Sequence, residues 1–156
     1  MHDAVPSYDS EAVLAKLWEL TILISKDMER GLADRGISRS RADLLTRIYY
    51  SDEAPTQRWL ADQHGVTPRN MTGLLDGLQR DGMITRSPHP TDRRATIVGM
   101  TDKGADFIGS MLTETHQIAD GLFGELPVEE RARFVATVDH VIARYRSMVA
   151  SRDGTP

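Results

Sequence analysis

Leu60-Ala61-Asp62-Gln63-His64-Gly65-Val66-Thr67-Pro68-Arg69-Asn70-Met71-Thr72 is the stretch that decides the fold of this chain. Thr56 suits the N-cap of a short helix running through His64, and Gly65-Val66 breaks it, since a left-handed turn favours a residue without Cβ. Thr67 caps again, and Pro68 falls at the first helical position, where its missing N–H costs nothing. Met71, Leu74, Leu75 and Leu78 then follow at i, i+3, i+4 and i+7, the pattern of a helix face turned to a core. Ala61 is small where two helices joined by so tight a turn must approach closely. The second helix is predicted to run to about Arg80 and stop at Asp81-Gly82.

Outward from this unit the chain keeps alternating between clear periods and clear breaks. Two short strands are predicted at residues 84–87 and 95–100, joined by Pro88-His89-Pro90 and the tip Thr91-Asp92-Arg93-Arg94. Upstream, residues 10 to about 35 read as a long helix with Val13, Leu14, Leu17, Trp18, Leu20, Ile24 and Met28 on its apolar side, closed by Gly36. Residues 40–50 read as a second helix capped by Ser40, and Trp59 reads as a packing residue under the short third helix. Downstream, Thr101 caps a helix with Ile108, Met111, Leu112, Thr115, Ile118, Ala119 and Leu122 in helical period. Leu126-Pro127 breaks it, and a final helix carries Phe134, Val138, Val141, Ile142, Tyr145, Met148 and Val149. The fold class is mainly α with a small β-hairpin: a winged helix-turn-helix head flanked by long terminal helices. The division expected is 1–37 and 101–156 as the two parts of a dimerisation region and 38–100 as the head.

The terminal helices carry more apolar surface than a head of about 65 residues can cover, an excess for which two arrangements are open: the helices pack on one another within a monomer, or two chains interleave them. The net charge of −4 is unevenly spread. Residues 38–104 hold ten Lys and Arg against eight Asp and Glu, while the flanks hold nine against fifteen. A mildly basic centre on acidic scaffolding is the distribution expected of a nucleic-acid module. The chain has no cysteine, hence no disulfide, thiolate metal site or thiol switch. It has no apolar run of the ~18 residues that would cross a bilayer, and its first residues lack the pattern of a secretory signal, so a cytoplasmic address is expected.

The side of the 68–80 helix opposite its apolar stripe presents Arg69, Gly73, Asp76 and Arg80, flanked by Asn70, Thr72 and Gly77. Arginine pairs with guanine edges and asparagine with adenine. Arg69 and Asn70 both lie in the first turn, the part of a recognition helix that reaches bases. Gly73 and Gly77 each cost a helix roughly 1 kcal/mol relative to alanine, which leaves two accounts: a bare backbone against a groove, or close packing on a neighbouring helix. Asp76 on that face would repel phosphate unless it is held aside or accepts a bond from cytosine. At the hairpin tip, Arg93 and Arg94 are placed to enter a minor groove, whose negative potential favours arginine, with Asp92 orienting a guanidinium. As an isolated triplet the same residues would be a solvated ion pair.

The chain resembles the multiple antibiotic resistance regulator (MarR) family of winged-helix proteins. The resemblance rests on residues 60–72 quoted above, on Leu74-Leu75-Asp76-Gly77-Leu78-Gln79-Arg80-Asp81-Gly82-Met83-Ile84, on Thr91-Asp92-Arg93-Arg94-Ala95 and on Met100-Thr101-Asp102-Lys103-Gly104. It implies a homodimer joined by its terminal helices, with two heads on a pseudo-palindromic double-stranded DNA operator. It matches Arg93 to the family's minor-groove arginine and residues 67–73 to its major-groove reader. The resulting DNA-contact candidates are Thr67, Arg69, Asn70, Thr72, Gly73, Arg80, Arg93 and Arg94. It further implies a repressor released by a small aromatic or phenolic effector, for which Trp18, Ile22, Tyr49 and His116 are the candidate lining. Each of those four also has an ordinary reading as core or interface packing, and His116 another as an interface histidine with a pH-dependent charge.

An enzyme would need convergent groups. His116 with Asp120, or Asp139 beside His140, offers a pair without a nucleophile or a third ligand at a recognisable spacing, and solvated helix faces explain both. No catalytic residue, metal or cofactor is expected. The competing reading is a winged helix used for protein contacts without specific DNA binding, and Arg93 discriminates between the two.

Overall fold

The computed structural model of the protein describes residues 9–92 and 94–153. Among these residues the order is α1 (Ser10–Asp34), α2 (Arg39–Tyr49), α3 (Gln57–His64), α4 (Pro68–Arg80), β1 (Ile84–Pro88), β2 (Thr96–Met100), α5 (Asp102–Phe123) and α6 (Val128–Asp153). The chain divides into two compact units, one through Ile108 and one from Gly109 onward. The winged-helix architecture expected from the sequence is present.

Local chemistry sets the helix boundaries. Asp9, Thr56 and Thr67 each accept a backbone N–H from three residues on, capping α1, α3 and α4. Gly65 ends α3 at φ +66°, the left-handed conformation its position demands. The start of α2 differs from the sequence expectation, because Ser38 caps it rather than Ser40. Ser38 has the extended backbone of a cap and its Oγ accepts the Arg41 N–H at 3.4 Å. The two serines are chemically alike, and tertiary burial picks between them: Ile37 and Ala42, on either side of the cap, are both buried, the positions of a hydrophobic staple.

The core of the first unit forms where α2, α3, α4, the hairpin and the start of α5 converge. Leu44, Leu45, Leu60, Met71, Leu75, Leu78, Ile84, Val98 and Ile108 are its fully buried side chains. The antiparallel hairpin pairs Ile84 with Met100 and Pro88 with Thr96, so β1 extends one residue beyond the expected 84–87 and β2 starts one later than 95. Thr56 bridges Ile97, and Val98 donates its N–H to the Pro55 carbonyl at 2.9 Å, which fastens the wing to the entrance of α3.

The first turn of α5 is clamped to the turn after α4. Thr101 Oγ1 donates to the Gly82 carbonyl at 2.8 Å and accepts the Gly104 N–H at 3.1 Å, while Lys103 Nζ donates to the Asp81 carbonyl at 2.7 Å. Gly104 is buried there against the Met83 carbonyl and the Met100 sulfur, with no room for a Cβ. In the second unit, Arg131 Nη1 donates to the carbonyls of Phe123, Gly124 and Leu126 at 3.1, 3.3 and 2.9 Å. These bonds satisfy carbonyls at the end of α5 and fix the turn into α6, where Phe123 and Phe134 meet with ring centroids 6.0 Å apart.

Candidate nucleic-acid interface

The α4 helix has two unlike sides. Met71, Leu75 and Leu78 are wholly buried, whereas Leu74, placed with them by period alone, is half-buried. Thr67, Arg69, Asn70, Gly73 and Arg80 are exposed. The two glycines separate. A Cβ on Gly73 would meet nothing within 4 Å, so that part of the face is bare and open. Gly77 is buried, and a Cβ there would run into the Arg41 guanidinium, which also pairs with Asp81 at 3.4 Å. Close packing explains Gly77; it does not explain Gly73.

Asp76 is held aside. It accepts from Arg86 Nη2 at 2.5 Å, and the same guanidinium donates through Nε to Gln79 Oε1 at 2.6 Å. An anion that would repel phosphate is thereby neutralised by a strand residue ten positions on. Thr72 is half-buried, with its hydroxyl donating to the Pro68 carbonyl at 3.0 Å and accepting from Gln57 Nε2 at 2.9 Å. The bond from Gln57 ties α4 to α3. Arg80 lies in the last turn, roughly 16 Å along the axis from Arg69 at 1.5 Å per residue. It is therefore separated from the first-turn cluster.

The wing tip is folded by its own polar groups. His89 Nδ1 accepts the backbone N–H groups of Thr91 and Asp92 at 3.3 and 3.2 Å. Asp92 Oδ1 accepts the Arg94 backbone N–H at 2.9 Å, so this carboxylate helps fix the turn. Arg94 is exposed and shares a groove of about 420 Å³ with Arg58, Pro68 and Thr96, which brings the wing and the start of α4 to one surface. Arg93 lies outside the described residues. Sequence reasoning passes over Arg58, Arg86 and Gln57. Arg58 carries a weak signal, as a cation in the first turn of the helix preceding the reader, but Arg86 and Gln57 are recruited by partners distant in the chain.

Of the effector candidates, Trp18, Ile22 and Tyr49 lie in the first unit and are 63%, 53% and 39% exposed; His116, also exposed, lies in the second unit. Tyr49 packs edge-on against Tyr50 with centroids 5.1 Å apart. Trp59, expected beneath α3, is instead 43% exposed beside the loop that enters the helix.

Comparison with known proteins places this arrangement. The sequence profile of the MarR family matches residues 37–96. An HTH-type transcriptional regulator of Mycobacterium bovis, Mb0904, is 30% identical over 64% of this chain and 70% of its own length. The Bacillus subtilis HTH-type transcriptional regulator YdgJ is 32% identical over 73% of this chain, which spans 66% of YdgJ. This chain belongs to the MarR family. Among solved structures, a point mutant of MepR from Staphylococcus aureus superposes with a TM-score of 0.75 at 17% identity, over 88% of this chain and 99% of that one. MepR in a DNA complex gives 0.60 at 20% identity, over 81% and 96%. These structural likenesses establish the shared fold. As a MarR-family member the chain is a transcription regulator, and the relatives named here are regulators rather than enzymes.

Proposed function

We propose that this MarR-family chain is a homodimeric, sequence-specific DNA-binding repressor, acting in the cytoplasm on a pseudo-palindromic operator and released by a small aromatic or phenolic effector. The observation that carries the reading is the division of α4: its inner face is the core of the head, while Thr67, Arg69, Asn70 and the open Gly73 stand exposed over its first two turns. Arginine and asparagine in that turn are equipped to pair with base edges in a major groove. Arg94 and Arg58 line the adjoining groove, and neutralisation of Asp76 by Arg86 removes a charge that would oppose phosphate on this face. The solved MepR–DNA complex shares the fold and supports the same use of it. Residues 38–100 act as the reading head, and 1–37 with 101–156 as the dimerisation region. The apolar residues left exposed on one chain support that assignment: Trp18, Leu23, Val135 and Tyr145 are all more than half exposed. The effector part of the reading rests on the family resemblance, with Trp18, Ile22, Tyr49 and His116, each exposed, as the candidate contacts.

Two tests arise directly. Light scattering of the purified protein is expected to give twice 17.4 kDa; a clean monomer mass contradicts the two-headed arrangement. Nuclease footprinting at saturation is expected to show two protected half-sites about 10 bp, one helical turn, apart. Protection of a single half-site contradicts it, and no protection of any sequence favours a protein-contact module.

Gly73 gives a sharper test of the face itself. Gly73→Ala is expected to raise stability by about 0.5–1 kcal/mol, since alanine is the better helix former and the added methyl meets no protein atom. The same methyl stands on the surface offered to DNA, so operator affinity is expected to fall as stability rises. Denaturant unfolding and operator binding measured on one preparation check both signs. A rise in stability with unchanged affinity would remove Gly73 from the interface.

A further inference from the structure

The loop between α2 and α3 bounds a groove of about 640 Å³ lined by Arg47, Tyr50, Asp52, Glu53, Trp59 and His89, with the buried Pro55 also contributing. Every lining residue belongs to the first unit, and the groove includes neither the exposed face of α4 nor any of the candidate effector residues. Two aromatic residues are exposed here, Tyr50 at 62% and Trp59 at 43%. Their positions, at the end of α2 and in the first turn of α3, are set by helices whose other faces are core, so they present preformed aromatic walls. Among the described residues the charges lining it are Asp52 and Glu53 against Arg47, and none of the three is in an ion pair. His89 lines the same groove, and its Nδ1 accepts the backbone N–H groups of Thr91 and Asp92.

We infer that this groove is a binding site for an organic cation with a flat apolar body, such as an aryl-substituted ammonium. The face of an aromatic ring attracts a cation, and two unpaired carboxylates add to that attraction. An anionic aromatic acid would meet Asp52 and Glu53 with Arg47 alone to offset them. The site is independent of the proposed function. The cation would rest against His89, the residue whose ring holds the wing turn.

The test uses Trp59 as its own reporter. The chain has two tryptophans, and Trp18→Phe leaves Trp59 alone. Titration with benzyltrimethylammonium is expected to change Trp59 emission saturably. In the Asp52→Asn, Glu53→Gln double variant, both positions being exposed, the dissociation constant is expected to rise about five-fold or more, a loss of roughly 1 kcal/mol. Benzoate, matched in ring but opposite in charge, is expected to bind more weakly than the cation. Calorimetry on the protein with both tryptophans, with and without the double substitution, repeats the comparison should Trp18→Phe disturb the fold. Benzoate binding as tightly as the cation, or a double variant indistinguishable from its parent, overturns the charge assignment. No saturable response to either probe overturns the site.

Discussion

Gly104→Ala is expected to destabilise the protein by about 1–3 kcal/mol, the range for forcing a methyl into a packed interior. The position is unusual because the obstacle is backbone. A Cβ would meet the Met83 carbonyl, together with the Met100 sulfur, at the point where Thr101, Lys103 and Gly104 clamp α5 to the turn after α4. A side chain can swing away from a new methyl, but a carbonyl inside the Leu78–Met83 turn cannot move without disturbing the end of α4 and the start of β1. The control is Gly109→Ala, one turn and a residue further along the same helix, where a Cβ meets nothing within 4 Å. That substitution is expected to be neutral or stabilising by about 0.5–1 kcal/mol through helix propensity alone. Urea unfolding of both variants at one protein concentration measures the difference. Equal stability of the two would mean that α5 does not dock on the head as described.

Arg93→Ala is expected to weaken operator binding by about 1–3 kcal/mol while leaving the mass and unfolding midpoint unchanged. The sequence puts this residue at the tip of the hairpin, and its neighbours form a scaffold built for presentation. His89 Nδ1 gathers the Thr91 and Asp92 amides, Asp92 Oδ1 holds the Arg94 amide, and the β1–β2 ladder fixes the base of the loop. An arginine in a minor groove gains from the negative potential there. Arg94→Ala serves as the comparison, since Arg94 faces the groove it shares with Pro68 and Arg58. Undiminished affinity in Arg93→Ala would sink the assignment of this residue to the minor groove.

Much of this arrangement is legible from local chemistry. Thr56, Gly65, Thr67 and Pro68 act within a few residues of themselves, so the boundaries of α3 and α4 follow from capping and turn rules, and the period of Met71, Leu75 and Leu78 fixes which side of α4 is inside. What the sequence leaves open depends on partners brought close by folding. Gly77 looks equivalent to Gly73 until Arg41, from another helix, is seen to cover it. Asp76 looks like an unfavourable charge on a DNA-facing surface until Arg86 reaches it from β1. Ser38 and Ser40 are equal as caps until the burial of Ile37 and Ala42 decides between them. Trp59 reads as packed because tryptophan usually is, and its exposure is invisible because nothing local marks the groove beside it. The candidate interface is legible residue by residue in the first turn of α4 and illegible where cations from α3 and β1 complete it.

The most direct test of the central claim is the fluorescence anisotropy of labelled DNA from immediately upstream of the protein's own gene, titrated at several salt concentrations beside an unrelated duplex. The account predicts tight binding that prefers the upstream DNA and weakens steeply as salt rises, as phosphate contacts release counterions. Absence of binding to either duplex at low salt would contradict it and assign the exposed face of α4 to a protein partner.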